Sequence, residues 1–175
     1  MNRKSLHFLT QGAVIATIYV ILTYISAMMN LAYGPVQFRL SEALSILPFF
    51  TPAAIPGLAI GCFISNLASP LGIVDWIFGT SATLIAASLC YMLRKIKVKD
   101  FPIFSLLVVV PVNAIIVGFE LSALSSDNIF NLGNFDLTQF YFWSLSVGFG
   151  ELVVCLVLGI PLFYMVKKIW KKTSI

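Results

Sequence analysis

Two runs of this chain, Val108–Phe119 and Leu152–Val166, contain no charged side chain. Runs of this length cannot be half-solvated strands, in which side chains alternate between two faces. They are equally unlike a membrane β-barrel, whose segments of about ten residues alternate too. Charged residues make up 10% of the 175 positions and hydrophobic ones 59%, whereas soluble domains carry about 25% charge. Such a surface cannot be hydrated on all sides, so its main solvent is the lipid bilayer. In lipid every backbone N–H and C=O must be satisfied internally, which leaves helices. The chain reads as an all-α, multi-pass membrane protein forming one transmembrane domain over residues 1–175.

A helix needs about 20 apolar residues to cross the hydrocarbon core. Segments at about 6–31, 74–93, 101–124 and 137–166 meet that length. The first exceeds the 7–15-residue core, roughly, of a cleavable signal, so it is expected to be retained as a helix. Leu40–Leu67 is long for one crossing and short for two, and basic residues decide the matter. Arg3 and Lys4, then Arg94, Lys95, Lys97 and Lys99, then Lys167, Lys168, Lys171 and Lys172 account for ten of the 11 lysines and arginines. Basic loops stay on the cytoplasmic side. All three clusters share that side only if Leu40–Leu67 crosses twice, turning at Phe50–Pro52. Two short helices are therefore expected, at about 41–50 and 52–67, making six, with both termini cytoplasmic. Asp75, Asp127 and Asp136 then fall in or beside outer loops, and Asp100 on the basic side. The 125–137 loop is long enough to cover something from outside, and Gly34–Pro35 marks a compact turn.

The stretch Val36–Gly57 sets Arg39 and Glu42 beside or within an otherwise apolar run, with Pro48, Pro52 and Pro56 close behind. Ionisable groups at membrane depth are costly and mark functional sites by default. With Ser41 as N-cap, Glu42 falls in the first helical turn, where the dipole favours negative charge. Arg39 and Glu42 either pair with each other or stay open to a polar ligand. Asn66, Asp75 and Trp76 flank the next outer connection. Asn113 and Glu120 are two turns apart on one helix, and Trp143 and Glu151 share roughly one face of the last. Asn113 and Glu151 either bond between helices or bind ligand, and Trp76, Trp143 and Tyr141 suit an interfacial aromatic belt equally well. Together, carboxylates, amides and tryptophans gather on the outer half. Gly12 and Ala16 form a small-xxx-small pair that lets another helix approach, suited to a partner inside the membrane.

Catalytic signatures are missing. The chain has no GxxxxGK[ST] loop, HExxH or GxSxG, and Cys62, Cys90 and Cys155 lie singly in apolar segments as small hydrophobes. His7 is the one histidine, so histidine-based metal chemistry has little to work with. The chain is expected not to be an enzyme and to hold no cofactor or metal; active uptake would need another subunit or an ion gradient.

The segment YGPVQFRLSEALSILPFFTPAAIPGLAIGCFISNL, Tyr33–Leu67, resembles the signature of QueT-type queuosine-precursor transporters. These are substrate-binding S components of energy-coupling factor (ECF) transporters. The resemblance implies a six-helix bundle in a bacterial plasma membrane, with ligand near the extracellular face. It implies a transmembrane coupling subunit and two cytoplasmic ATPase subunits that use ATP, with Gly12 and Ala16 near the coupling contact, and no nucleic acid. The implied ligand is a deazaguanine such as queuine or its aminomethyl or cyano precursors. A carboxylate would take the two adjacent donors of the guanine-like edge, Glu42 first, then Glu120 or Glu151. Arg39, Gln37 or Asn66 would serve the carbonyl, and Trp143, Trp76 or Phe142 would stack on the base. A gradient-driven permease working through Glu151 is the alternative.

Overall fold

The computed structural model describes residues 2–32, 37–99, 101–124 and 129–173. Gly34–Pro35, Asp100 and Asp127 lie outside them. The described residues form α1 (Arg3–Met28), a 3₁₀ helix (Leu40–Phe49), α2 (Ala54–Asn66), α3 (Ile73–Leu93), α4 (Ile103–Leu107), α5 (Val109–Ser122), α6 (Leu137–Val154) and α7 (Ile160–Thr173). Four stretches are long and apolar enough to cross a bilayer: Arg3–Met28, Ile73–Leu93, Ile103–Ser122 and Leu137–Trp170. Their outward faces are apolar, with Ile77, Ile115 and Leu145 60%, 59% and 74% exposed. Only lipid makes that arrangement favourable. The chain is an all-α membrane protein.

Each departure from the expected helix limits has a local cause. The first helix stops at Met28 because Asn30 takes a left-handed conformation, φ 57°. Its N–H reaches Ala27 O and that of Leu31 reaches Ser26 O, closing the helix with a Schellman motif. The span at 101–124 breaks at Val108, where Pro111 leaves the Leu107 carbonyl without its usual donor. The last span passes through one π-helical turn, Cys155–Gly159, ahead of Pro161 and runs on to Thr173. Proline and π-turns are the usual sites at which a long helix bends.

The expected hairpin forms, but its first arm is a 3₁₀ helix. At about 2.0 Å rise per residue, its ten residues reach about as far as the 13 of α2, which rise about 1.5 Å each. Proline placement suits the reversal. Pro56 sits in the first turn of α2, where its missing N–H has no partner to lose. Thr51 accepts from the Ala53 N–H at 3.3 Å and donates to Gln11 on α1 at 2.9 Å.

The 3₁₀ helix is the centre of the bundle and touches α1, α2, α3, α4, α6 and α7. At one end Phe50 lies 6.0 Å from Trp170, Phe101 5.0 Å from Phe163, and Lys97 5.6 Å above Phe49. The hairpin turn, the 94–101 connection and α7 therefore share that end, as two crossings of Leu40–Leu67 require. At the opposite end the 129–135 loop folds back. Phe130 rests 5.2 Å from Phe78 and 6.3 Å from Phe119, and Phe135 5.6 Å from Phe119. Asp136 caps α6 by accepting from the Thr138 and Gln139 N–H groups at 2.6 and 3.1 Å, and those donors hold its carboxyl below the usual carboxylate range.

Helix α1 lies against α2 through residues without bulk. A Cβ on Gly57 would stand 2.7 Å from the Gly12 carbonyl oxygen, and one on Gly61 would stand 3.0 Å from that of Ala16. The close approach expected of Gly12 and Ala16 is thus used within the chain. Gly61→Val should force the helices apart, costing about 1–3 kcal/mol. A lower unfolding midpoint in detergent, beside an unchanged midpoint for a substitution at lipid-facing Ile115, is the expected result.

Candidate functional site

Helix α1 carries Tyr19, Thr23 and Ser26 on one buried face, and that face fastens the 3₁₀ helix. Ser26 Oγ accepts from the Leu40 N–H at 2.9 Å, and Thr23 donates to Ser41 Oγ at 2.8 Å. The expected N-cap, Ser41, is therefore inside the helix. Arg39 takes the cap position with extended backbone, φ −85° and ψ 105°, and makes no side-chain cap bond.

That backbone turns Arg39 away from Glu42. The guanidinium reaches across to α3, where Nη2 meets Asp75 Oδ2 at 3.5 Å, while Nε donates to the Ala32 carbonyl at 3.3 Å. Glu42 is held separately. Tyr19 donates its hydroxyl to Oε1 at 2.5 Å and Ser45 donates to Oε2 at 2.9 Å. Asn66, at the end of α2, donates to the Asp75 backbone carbonyl at 3.0 Å and to Oδ1 at 3.3 Å. Gly79, one turn along α3, leaves room for that contact: a Cβ there would stand 2.5 Å from Asn66 Nδ2.

A second group comes from α5 and α6. Asn113 donates to Glu151 Oε1 at 2.6 Å, deep in the span, since Glu151 lies about 20 Å along the axis from Leu137 at 1.5 Å per residue. Glu120 is wholly buried and neither of its oxygens has a hydrogen-bond partner among the described residues. The elements that carry the two groups pack together, α5 against α3 and α6 against the 3₁₀ helix. Among the described residues, one buried cation therefore faces four buried carboxylates.

Arg39, Glu42, Asn66, Asp75, Asn113, Glu120 and Glu151 are thus all buried on elements that pack together. Gln37 contributes backbone, because its carbonyl lies where a Cβ on Gly150 of α6 would stand. The two tryptophans do not join the polar cluster through any described contact. Trp76 is half-buried with its ring 6.3 Å from Phe63, and Trp143 is half-buried with its ring 5.2 Å from exposed Phe142. Tyr19, Ser41 and Ser45 are additions that motif reading missed. The spacing of Tyr19, Thr23 and Ser26 on one face of an otherwise apolar helix was the available signal.

Among the described residues the buried carboxylates outnumber the buried cation four to one, a balance that suits a partner rich in hydrogen-bond donors. The cluster has no nucleophile–base pair aimed at a reacting atom, and among the described residues no group of His, Cys, Asp and Glu is arranged to hold a metal. Arg39→Met and Asp75→Asn should each destabilise the protein by about 3 kcal/mol, because each leaves buried charge without its partner. The double substitution should cost less than the sum of the two. Unfolding midpoints of the four proteins in one detergent check this.

Residues 9–168 match the QueT transporter family. Over 101 residues the chain is 39% identical to the queuosine precursor transporter QueT of Lactococcus lactis subsp. cremoris (strain MG1363). The matched stretch is 58% of this chain and spans 59% of the relative's length. No solved structure was found to match.

Proposed function

Because the chain belongs to the QueT transporter family, we propose that it captures a queuosine precursor outside the cell as the substrate-binding membrane subunit of an ATP-driven ECF-type importer. The ligand is a deazaguanine base, the membrane is the bacterial plasma membrane, and the partners are a transmembrane coupling subunit and two cytoplasmic ATPases. The observation that carries the reading is the buried carboxylate cluster at the end of the bundle opposite the basic segments. It grows out of the Arg39–Glu42 stretch.

The chemistry supports a guanine-like ligand. Tyr19 and Ser45 take one acceptor site on each oxygen of Glu42. A carboxylate oxygen has two such sites, so each oxygen of Glu42 has the capacity to accept one further donor. The ring imino N–H and exocyclic amine of a deazaguanine match that pair and gain two parallel charge-assisted bonds. The Arg39 guanidinium, with five N–H donors, suits the base carbonyl, whereas both Asn66 N–H groups are already given to Asp75. The 129–135 loop, with Phe130 over Phe78, suits a cover that closes on bound ligand.

One feature favours a second reading. Glu151, buried far along α6 and bonded to Asn113, is where a proton-coupled permease would carry its proton. Uptake in vesicles separates the two. The importer needs the coupling and ATPase subunits with ATP, whereas the permease needs only a proton gradient.

Quenching of tryptophan fluorescence in the detergent-purified chain, titrated with queuine and its aminomethyl and cyano precursors, tests capture directly. Saturable quenching that guanine competes for only weakly is expected. Glu42→Gln should weaken binding of all three by about 10- to 100-fold, the loss expected for a charge-assisted bond. Unchanged affinity would remove Glu42 from the base-recognition role.

A further inference from the structure

Recognition of the base accounts for Glu42 and Arg39, and it leaves Glu120 without a task. Every other buried carboxylate of the cluster has a hydrogen-bond donor: Tyr19 and Ser45 for Glu42, Arg39 and Asn66 for Asp75, Asn113 for Glu151. Glu120 is fully buried, yet both its oxygens lack a donor among the described residues. Its helix packs against α3, whose buried Asp75 already holds Arg39. On the loop side, Phe119, the residue before it, contacts Phe78, Phe130 and Phe135, and those rings limit access of water.

A buried carboxylate without a donor is unfavourable in its charged form, and a cation that binds later would stabilise that form. An ammonium group brings both a charge and three N–H donors. A nitrile brings neither, since its nitrogen can only accept. We propose that Glu120 is the counter-ion for a protonated amine on the deazaguanine substituent, and that it makes the site select aminated precursors over the cyano precursor. This rests on the reading of the chain as a deazaguanine-capture subunit. It assigns Glu120 a role in specificity, separate from base recognition by Glu42.

The test measures affinities of the aminomethyl and cyano precursors, and of the aminomethyl precursor acetylated on its amine, for the full chain in detergent. The wild-type protein is expected to bind the aminomethyl compound at least about tenfold more tightly than either uncharged analogue, as one charge-assisted bond implies. Glu120→Gln should weaken the aminomethyl compound by about tenfold or more and leave the other two within about threefold. Its unfolding midpoint without ligand should stay close to that of the wild-type protein, because Glu120 has no hydrogen-bond partner among the described residues to lose. Equal affinity of the wild-type protein for the charged and acetylated ligands would overturn the assignment without any variant, should Glu120→Gln fail to fold. So would parallel losses for all three ligands in Glu120→Gln, or no loss at all. Failure of the wild-type protein to bind any of the three would instead reject the capture reading on which the proposal rests.

Discussion

A guanidinium buried among apolar helices is the constraint around which this bundle is arranged. Arg39 cannot reach water, so α3 must bring Asp75 to it, and α2 must bring Asn66 to orient Asp75. Those contacts fix the relative placement of three elements at one end of the molecule. A buried ion pair contributes little net stability after desolvation, but its loss is costly. The pairing therefore specifies how the 3₁₀ helix seats between α1 and α3 more than it strengthens the fold.

That 3₁₀ helix is unusual in length, since such runs seldom exceed three or four residues. It is tolerated because protein surrounds it. Irregular or tight backbone at membrane depth is acceptable where it is not exposed to lipid, and seven of its residues are buried. Helix α1 serves it in two ways along one face. Small Gly12 and Ala16 admit α2 closely, and further along Tyr19, Thr23 and Ser26 hydrogen-bond the 3₁₀ helix and its side chains. Lipid-facing packing has no hydrophobic drive of its own between helices, so close approach at glycine and internal hydrogen bonds take over that task.

The same economy shapes the site. Carboxylates and amides sit toward one end while basic segments gather at the other, so the positive-inside pattern and the acceptor-rich cluster are opposite faces of one charge separation. Such an acceptor-rich cluster within the membrane suits the chain's membership of the QueT transporter family.

Much of this was legible in the residues. Uncharged runs demanded lipid and helices, and the basic clusters demanded that Leu40–Leu67 cross twice, because local composition and charge act through the solvent and need no knowledge of neighbours. The importance of Arg39 and Glu42 was visible for the same reason. Their partners were not. Spacing of three suggested that they meet each other, yet extended backbone at Arg39 sent its side chain 36 positions along the chain to Asp75, and Glu42 turned to Tyr19. The isolation of Glu120 and the packing of α2 on Gly12 and Ala16 were equally hidden. Which groups meet across helices depends on rotation and depth of each helix in the bundle. Only the tertiary structure decides those, because they follow from how all the faces are satisfied at once.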